Sequence, residues 1–372
     1  MANRAVTVSS WQMAALFLTF VTGSSIVNIP APLTGAAENA AWISLWIANG
    51  LGMLMLSCVL YLHRKFPDMT LIEYSRQTVG RVFTVVIAVP FFLMTFVMLA
   101  DIVGDIGNFF RSTMMRETPT YVFHLLTLFT AALTVRSGIE VMARMFTFLL
   151  FIIYMSSTAV ILLTLPSYRA EHLLPLFPHG FEPVLHGAYM AWGFPYAEIV
   201  IFSMILPFVR KDREPLGKFM FAALFINGLA LTLAIVCTIM ALGPMSANIK
   251  YSLFTLARLI EVAEIIERIE AITGIALITG SYMKATIVLF AINLGVSRLL
   301  RLQDERILIF PIAFVALMLS LTMFKNELEV MEHVGVVWPL FITVAGVVPF
   351  LAVTIAAAFK SDRKGSETNV LE

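Results

Sequence analysis

Long apolar runs separated by short polar clusters set the pattern of this chain. A membrane-crossing helix needs about 20 apolar residues, because each residue rises about 1.5 Å through a hydrocarbon core of about 30 Å. Ten segments meet or approach that length: 9–35, 41–62, 80–110, 120–136, 141–165, 184–209, 217–243, 268–296, 307–324 and 335–359. The third exceeds a perpendicular crossing, which predicts a tilted helix. Two intervening segments read as helices on a membrane surface. Residues 69–79 are short and polar. Residues 250–267 mix Leu253, Phe254, Leu256, Leu259 and Ile260 with Glu261, Glu264 and Glu267, an amphipathic pattern expected to lie on the opposite surface.

Two of the ten runs are interrupted. The first contains Thr22, Gly23, Ser24 and Ser25, followed by Asn28 and Pro30; the sixth contains Trp192, Gly193, Phe194, Pro195 and Tyr196. Proline removes a backbone donor and clashes with the preceding turn, and glycine lets the chain change direction. Lipid-exposed helix cannot leave backbone groups unsatisfied, so breaks belong where protein or water covers them. Breaks in runs one and six divide ten spans into two halves, about 9–165 and 184–359, each opening with a discontinuous helix. Five spans per half put the halves in opposite orientation, the pattern of inverted-repeat secondary transporters. The competing reading is two ordinary kinks. Pro90 in the third run has no counterpart and reads as a bend. Facing half-helix ends offer amides to a carboxylate and carbonyls to an ammonium, so a zwitterionic amino acid suits such a site.

Composition agrees with the pattern. Of 372 residues, 59% are hydrophobic and 13% charged, against about 25% charged in soluble domains; the mean hydropathy is +0.89. This excludes a soluble enzyme, a nucleic-acid binder and a disordered regulator. The net charge of +1 conceals an asymmetry: 17 of the 25 basic residues fall in one set of loops. The positive-inside rule puts that set, and both termini, in the cytoplasm. No cleaved leader is evident before the first run, and the tail 360–372 is short and polar. The chain is thus expected to form one polytopic unit. Cys58 and Cys237 lie inside apolar runs and read as core residues rather than a disulfide or zinc set.

Ionisable residues inside apolar runs are costly and therefore mark candidate function. Lys284, mid-run in the eighth span, is too far from either end to reach water. It reads as an ammonium that replaces a bound sodium ion or takes part in proton coupling, or as half of a structural ion pair. Glu198 falls in the first turn after Pro195, where it can cap free amides or pair with Lys284. Asp101, Asp105 and Asn108 share one face of the third run. That face lines an outer vestibule, packs inward, or marks the interfacial end of a tilted helix. Arg268 and Glu270 read as anchors where the eighth run begins. The six histidines show no metal-ligand spacing. No phosphate loop, nucleophile elbow or hydrolytic carboxylate pair is visible, so neither an enzyme nor a cofactor is expected.

Order and spacing also carry a resemblance. Gly23 to Pro30, Ala41-Trp42-Ile43-Ser44, Leu71-Ile72-Glu73-Tyr74, Arg116-Glu117-Thr118-Pro119 and Phe254 to Lys284, with Ile266-Glu267-Arg268-Ile269-Glu270-Ala271 its best part, follow one another as in a known family. The chain resembles the B subunits of GerA-type spore germinant receptors, endospore germination permeases of the amino acid–polyamine–organocation superfamily. That resemblance implies an all-α, LeuT-like membrane fold of ten helices in a five-plus-five inverted repeat, with helices one and six discontinuous. It also implies a nutrient sensor in the spore inner membrane, working with an A subunit and a lipoprotein C subunit. The implied ligand pocket draws on spans one, three, six and eight. Here those regions hold Thr22, Gly23, Ser24 and Ser25; Val97 and Asp101; Phe194, Pro195 and Glu198; and Met283 and Lys284. Leu277 departs from the resemblance, which implies a large aromatic there. A sensing receptor subunit is the leading expectation; an active amino acid transporter, with or without proton coupling, is the alternative, and a purely structural scaffold a third.

Overall fold

The structure, a computed structural model, describes residues 7–210, 214–260, 269–324 and 327–368. Eight helical stretches among these are long and apolar enough to cross a membrane: Ser10–Asn28, Pro30–Lys65, Arg81–Thr113, Ile139–Leu163, Leu216–Ala247, Glu270–Leu300, Glu305–Thr322 and His333–Lys360. They take up eight of the ten predicted runs. The fourth run is the helix Thr120–Ser137, and the sixth is a broken path that begins with the helix Glu182–Ala191. Large apolar side chains such as Leu54, Val86, Phe148 and Phe314 face outward, as expected of a surface solvated by lipid.

Local chemistry explains several boundaries. Ser9 and Gln12 form a reciprocal capping box that starts the first helix, satisfying amides that have no partner within the helix. Thr70 and Glu73 repeat the device at Leu71–Val79, so the polar 69–79 segment is helical as expected. Gly138, with φ 91°, joins Thr120–Ser137 to Ile139–Leu163; only glycine enters that backbone region without strain. The third helix runs unbroken through Pro90 for 33 residues.

Spans one and eight form the centre. Their apolar windows are 78% and 83% buried, against 28% for the fifth and 22% for the ninth. Packing adds detail to the sequence reading at two places. In the 250–267 segment the described helix Ser252–Arg258 buries Leu253, Phe254 and Leu256. Phe254 packs edge-on against Phe109 near the end of the third span, 5.4 Å between centroids, so the apolar face of this helix rests on the bundle while Arg258 and Leu259 stay exposed. Residues 261–268 of that segment, including Glu264 and the Ile266–Arg268 signature, lie outside the described residues. The tenth span is also less regular than its apolar run suggests. Wide π-type turns occur at His333–Val337 and Thr343–Val347, a feature that often marks functional sites.

Candidate functional site

The first break is built from small side chains. The opening helix stops at Thr22, and Gly23 leaves helical geometry with φ −26° and ψ −96°. Ser25 then turns its hydroxyl back on the freed carbonyls, donating to Val21 O at 2.6 Å and Thr22 O at 3.0 Å. The Thr22 hydroxyl meets Tyr154 OH at 3.1 Å and accepts from Asn227 Nδ2 at 3.2 Å. Ser24 Oγ is buried without a hydrogen-bond partner. Glycine is required here by closeness. A Cβ at Gly23 would lie 2.8 Å from the Gly280 carbonyl oxygen and 2.9 Å from the Lys284 Cβ. Spans one and eight therefore touch backbone to backbone at the break.

The sixth span breaks at the predicted Gly-Phe-Pro sequence. Trp192–Tyr196 forms a wide turn in which Phe194 is extended, φ −146° and ψ 117°. A tight helical path, Ala197–Met204, follows. A Cβ at Gly193 would fall 2.5 Å from Pro339 Cγ, so the break is seated directly against the tenth span. Asn49 anchors the exit by donating to Tyr196 OH at 3.1 Å and Leu224 O at 3.2 Å.

These geometries bring two predicted charges together. Glu198 and Lys284 are 2% and 0% exposed, and Lys284 Nζ lies 2.5 Å from Glu198 Oε2. Lys284 sits midway along the 32-residue helix Ile269–Leu300, so the pair ties the broken sixth span to the eighth. Its ammonium also lies over the Phe194 ring, 4.1 Å from the centroid, and over Phe20 at 5.1 Å. Desolvated cation–π contacts of this kind contribute about 2 kcal/mol or more. The sequence offered no reason to expect an aromatic cage; the structure builds one around the protein's own lysine. Trp338 of the tenth span lies close to Glu198. The opposite charge and two ring faces thus satisfy charges that would be prohibitive alone.

A second set of polar contacts lies along the third span. Asp101 does not join Lys284; its Oδ2 lies 3.1 Å from His333 Nε2 on the tenth span. Asp105 accepts a hydrogen bond from Asn28 Nδ2, just past the first break. Asp101 and Asp105 thus contact neighbouring spans from this face, and Asn108 is half-buried. The His333 ring stands between Phe324 and Trp338, at 5.1 and 5.9 Å. Hence Trp338 bridges the two polar sets.

The remaining predicted residues are distributed around these contacts. Thr22, Ser25, Pro195 and Met283 are buried at the breaks or beside Lys284, and Val97 is half-buried. Leu277 is buried in the core. Asn28, Trp338 and His333 were not anticipated. Asn28 could have been found from its place between the serines and Pro30. The other two show no sequence signal beyond lying in an apolar run. Of the sequence-predicted anchors, Glu270 opens the eighth helix, whereas Arg268 lies outside the described residues.

Comparison with known proteins bears on the whole chain. A family model described as spore germination protein matches residues 7–328. Spore germination protein KB of Bacillus subtilis (strain 168) is 25% identical over 362 residues, 96% of each chain. Among solved structures, MhsT in complex with L-phenylalanine superposes with a TM-score of 0.73 at 12% identity, covering 93% of this chain and 89% of that one. A substrate-bound, outward-open Na+-coupled sialic acid symporter superposes with a TM-score of 0.66 at 10% identity, covering 93% and 81%. At such identities the likeness concerns the fold, which is the LeuT-like all-α membrane architecture.

Proposed function

We propose that this chain, which belongs to the spore germination protein family, is the nutrient-sensing, permease-like B subunit of a GerA-type germinant receptor. It binds a small nutrient, most simply an amino acid, where the two broken helices meet. The observation that carries this reading is the caged Glu198–Lys284 pair, which fixes the sixth and eighth spans against the first break. One of the fold neighbours is a Na+-coupled symporter. Here the Lys284 ammonium supplies a resident positive charge at the break, in the place of a coupling cation. The buried and unpartnered Ser24 hydroxyl is the polar group left for a ligand. Asp101 and Val97 complete the wall on the third span. The two broken spans face one another as the opening elements of two inverted repeats, about 9–165 and 184–359.

Sensing requires no chemical step. A ligand that prefers one conformation shifts the population toward it, and the repacked bundle presents that state to the A and C subunits. Both termini face the cytoplasm, with the bundle in the inner membrane of the spore. Active transport, with Lys284, Glu198 or Asp101 as the candidates for proton coupling, is the second reading, favoured by the fold shared with solute transporters. The decisive experiment screens amino acids, nucleosides and sugars against the purified chain by thermal shift. A ligand at 100 times its Kd stabilises by about 2.7 kcal/mol. A hit whose shift disappears in Ser24→Ala and Phe194→Ala, with both variants folded, supports the site; an undiminished shift in both rejects it. Accumulation of that ligand in vesicles holding this chain alone would favour transport. Dependence on the A and C subunits for any response would favour sensing.

A further inference from the structure

A cavity of about 780 Å³ opens far from the broken helices, at the end of the bundle where the first helix begins. Its wall combines Ser10, the second-span residues Leu60, His63 and Arg64, and Val209 and Arg210 at the end of the sixth span. Glu214 and the seventh-span residues Leu216, Lys218 and Phe221 complete it. Arg64, Arg210 and Lys218 therefore converge from three separate spans, with Glu214 as the carboxylate on the same wall. Among the described residues, no ion pair or side-chain hydrogen bond engages these three cations. His63 adds a buried Nδ1 that has no hydrogen-bond partner. Gathering like charges in one concavity is unfavourable unless an anion is to be held there.

The surroundings identify the anion's carrier. Leu60, Leu216 and Phe221 give the cavity an apolar floor. Beside it, Tyr61 and Phe219 are exposed at 41% and 36%, and Phe225 at 51%, so an outward apolar face continues along the second and seventh spans. A soluble anion needs the cations but has no use for that face. A phospholipid uses both, because guanidinium forks fit phosphate oxygens and acyl chains cover exposed rings. Basic pockets between membrane helices at the positively charged face are a known form of lipid recognition. We infer that this cavity is a binding site for the headgroup of an anionic phospholipid, with Arg64, Arg210 and Lys218 holding the phosphate. Because Arg210 N donates to Val8 O at 2.8 Å, a lipid held there rests on the junction between the ends of spans one and six.

The test uses the full chain in detergent, titrated with phosphatidylglycerol, with phosphatidylcholine of the same acyl chains, and with inorganic phosphate. Bound lipid is counted by native mass spectrometry and stability by thermal melting. Phosphatidylglycerol is expected to bind at least 10-fold more tightly than phosphatidylcholine. Arg64→Gln/Arg210→Gln/Lys218→Gln should remove that preference, whereas Arg81→Gln/Arg301→Gln, at basic sites elsewhere on the same face, should keep it. If the triple variant does not fold, a photoactivatable phosphatidylglycerol is crosslinked to the wild type instead. Crosslinks should map to residues 60–64 or 216–221. Equal binding of the two lipids, an unchanged preference in the folded triple variant, crosslinks confined to other segments, or equal protection by inorganic phosphate would each overturn the assignment.

Discussion

Lys284 and Glu198 tie the broken sixth span to the eighth through a pair of buried charges. Each charge is fully desolvated, so neither is tolerable without the other. Lys284→Met is expected to destabilise by about 3–5 kcal/mol, because it leaves a buried carboxylate uncompensated. Glu198→Leu combined with Lys284→Met should recover most of that loss, since apolar replacement of a whole buried pair is often neutral. Thermal melting of the singles and the double checks this; a single variant as stable as the wild type would mean the pair carries no charge. Ser24 is the opposite case. Its hydroxyl is buried and has no partner to lose, so Ser24→Ala should stabilise by about 1–3 kcal/mol, the cost of an unsatisfied buried polar group, while reducing any ligand-induced shift. Both charges and the serine were legible from the sequence, because a polar group stands out in an apolar run. Their partners were less so. Helices that are apolar on all sides do not reveal which face turns inward, and for that reason the pairing of Asp101 with His333, and the place of Trp338, emerged only from the packed bundle.

At the scale of elements, the breaks were the most legible feature, since glycine, proline and serine carry their backbone consequences in the sequence. What the sequence could not say is why glycine is needed at the first break. Gly23 and Gly280 lie on different spans, and the need arises from their mutual approach: a Cβ at Gly280 would stand 2.9 Å from Gly23 O. Gly23→Ala and Gly280→Ala are each expected to cost about 1–3 kcal/mol by forcing the spans apart. Once one has separated them, the other has less to disturb, so the double variant should cost less than the sum. A double-mutant melting cycle reads the difference; strict additivity would mean that the two glycines do not share a contact. The π-type turns of the tenth span had no comparable signature. They flank the stretch Trp338–Ile342, whose Pro339 seats against Gly193 of the sixth span.

The molecule as a whole is tied at both ends of the broken helices. At one end the backbone before span one bonds to the exit of span six, Val8 N to Phe208 O at 2.9 Å and Arg210 N to Val8 O at 2.8 Å. At the other, Asp101–His333 joins the third span to the tenth, and Asn28–Asp105 joins the first to the third. The buried pair and its aromatic cage lie between. Any change of access to the break must release one set while the other holds, which is a bistable arrangement rather than a continuous one. This predicts opposite effects for two substitutions. Val8→Pro removes a donor that proline cannot replace and should open the end that holds Arg210. His333→Leu breaks the contact with Asp101 and should open the other. The reporter is Ser24→Cys, placed in a background in which Cys58→Ser and Cys237→Ala remove the native thiols. Ser24 is 2% exposed, so the reporter alone should resist an impermeant thiol reagent from either side of a vesicle. Val8→Pro should admit the reagent from one side and His333→Leu from the opposite side. Labelling of both variants from the same side would mean that the two ties do not guard separate entrances, and that the bundle does not work by exchanging one for the other.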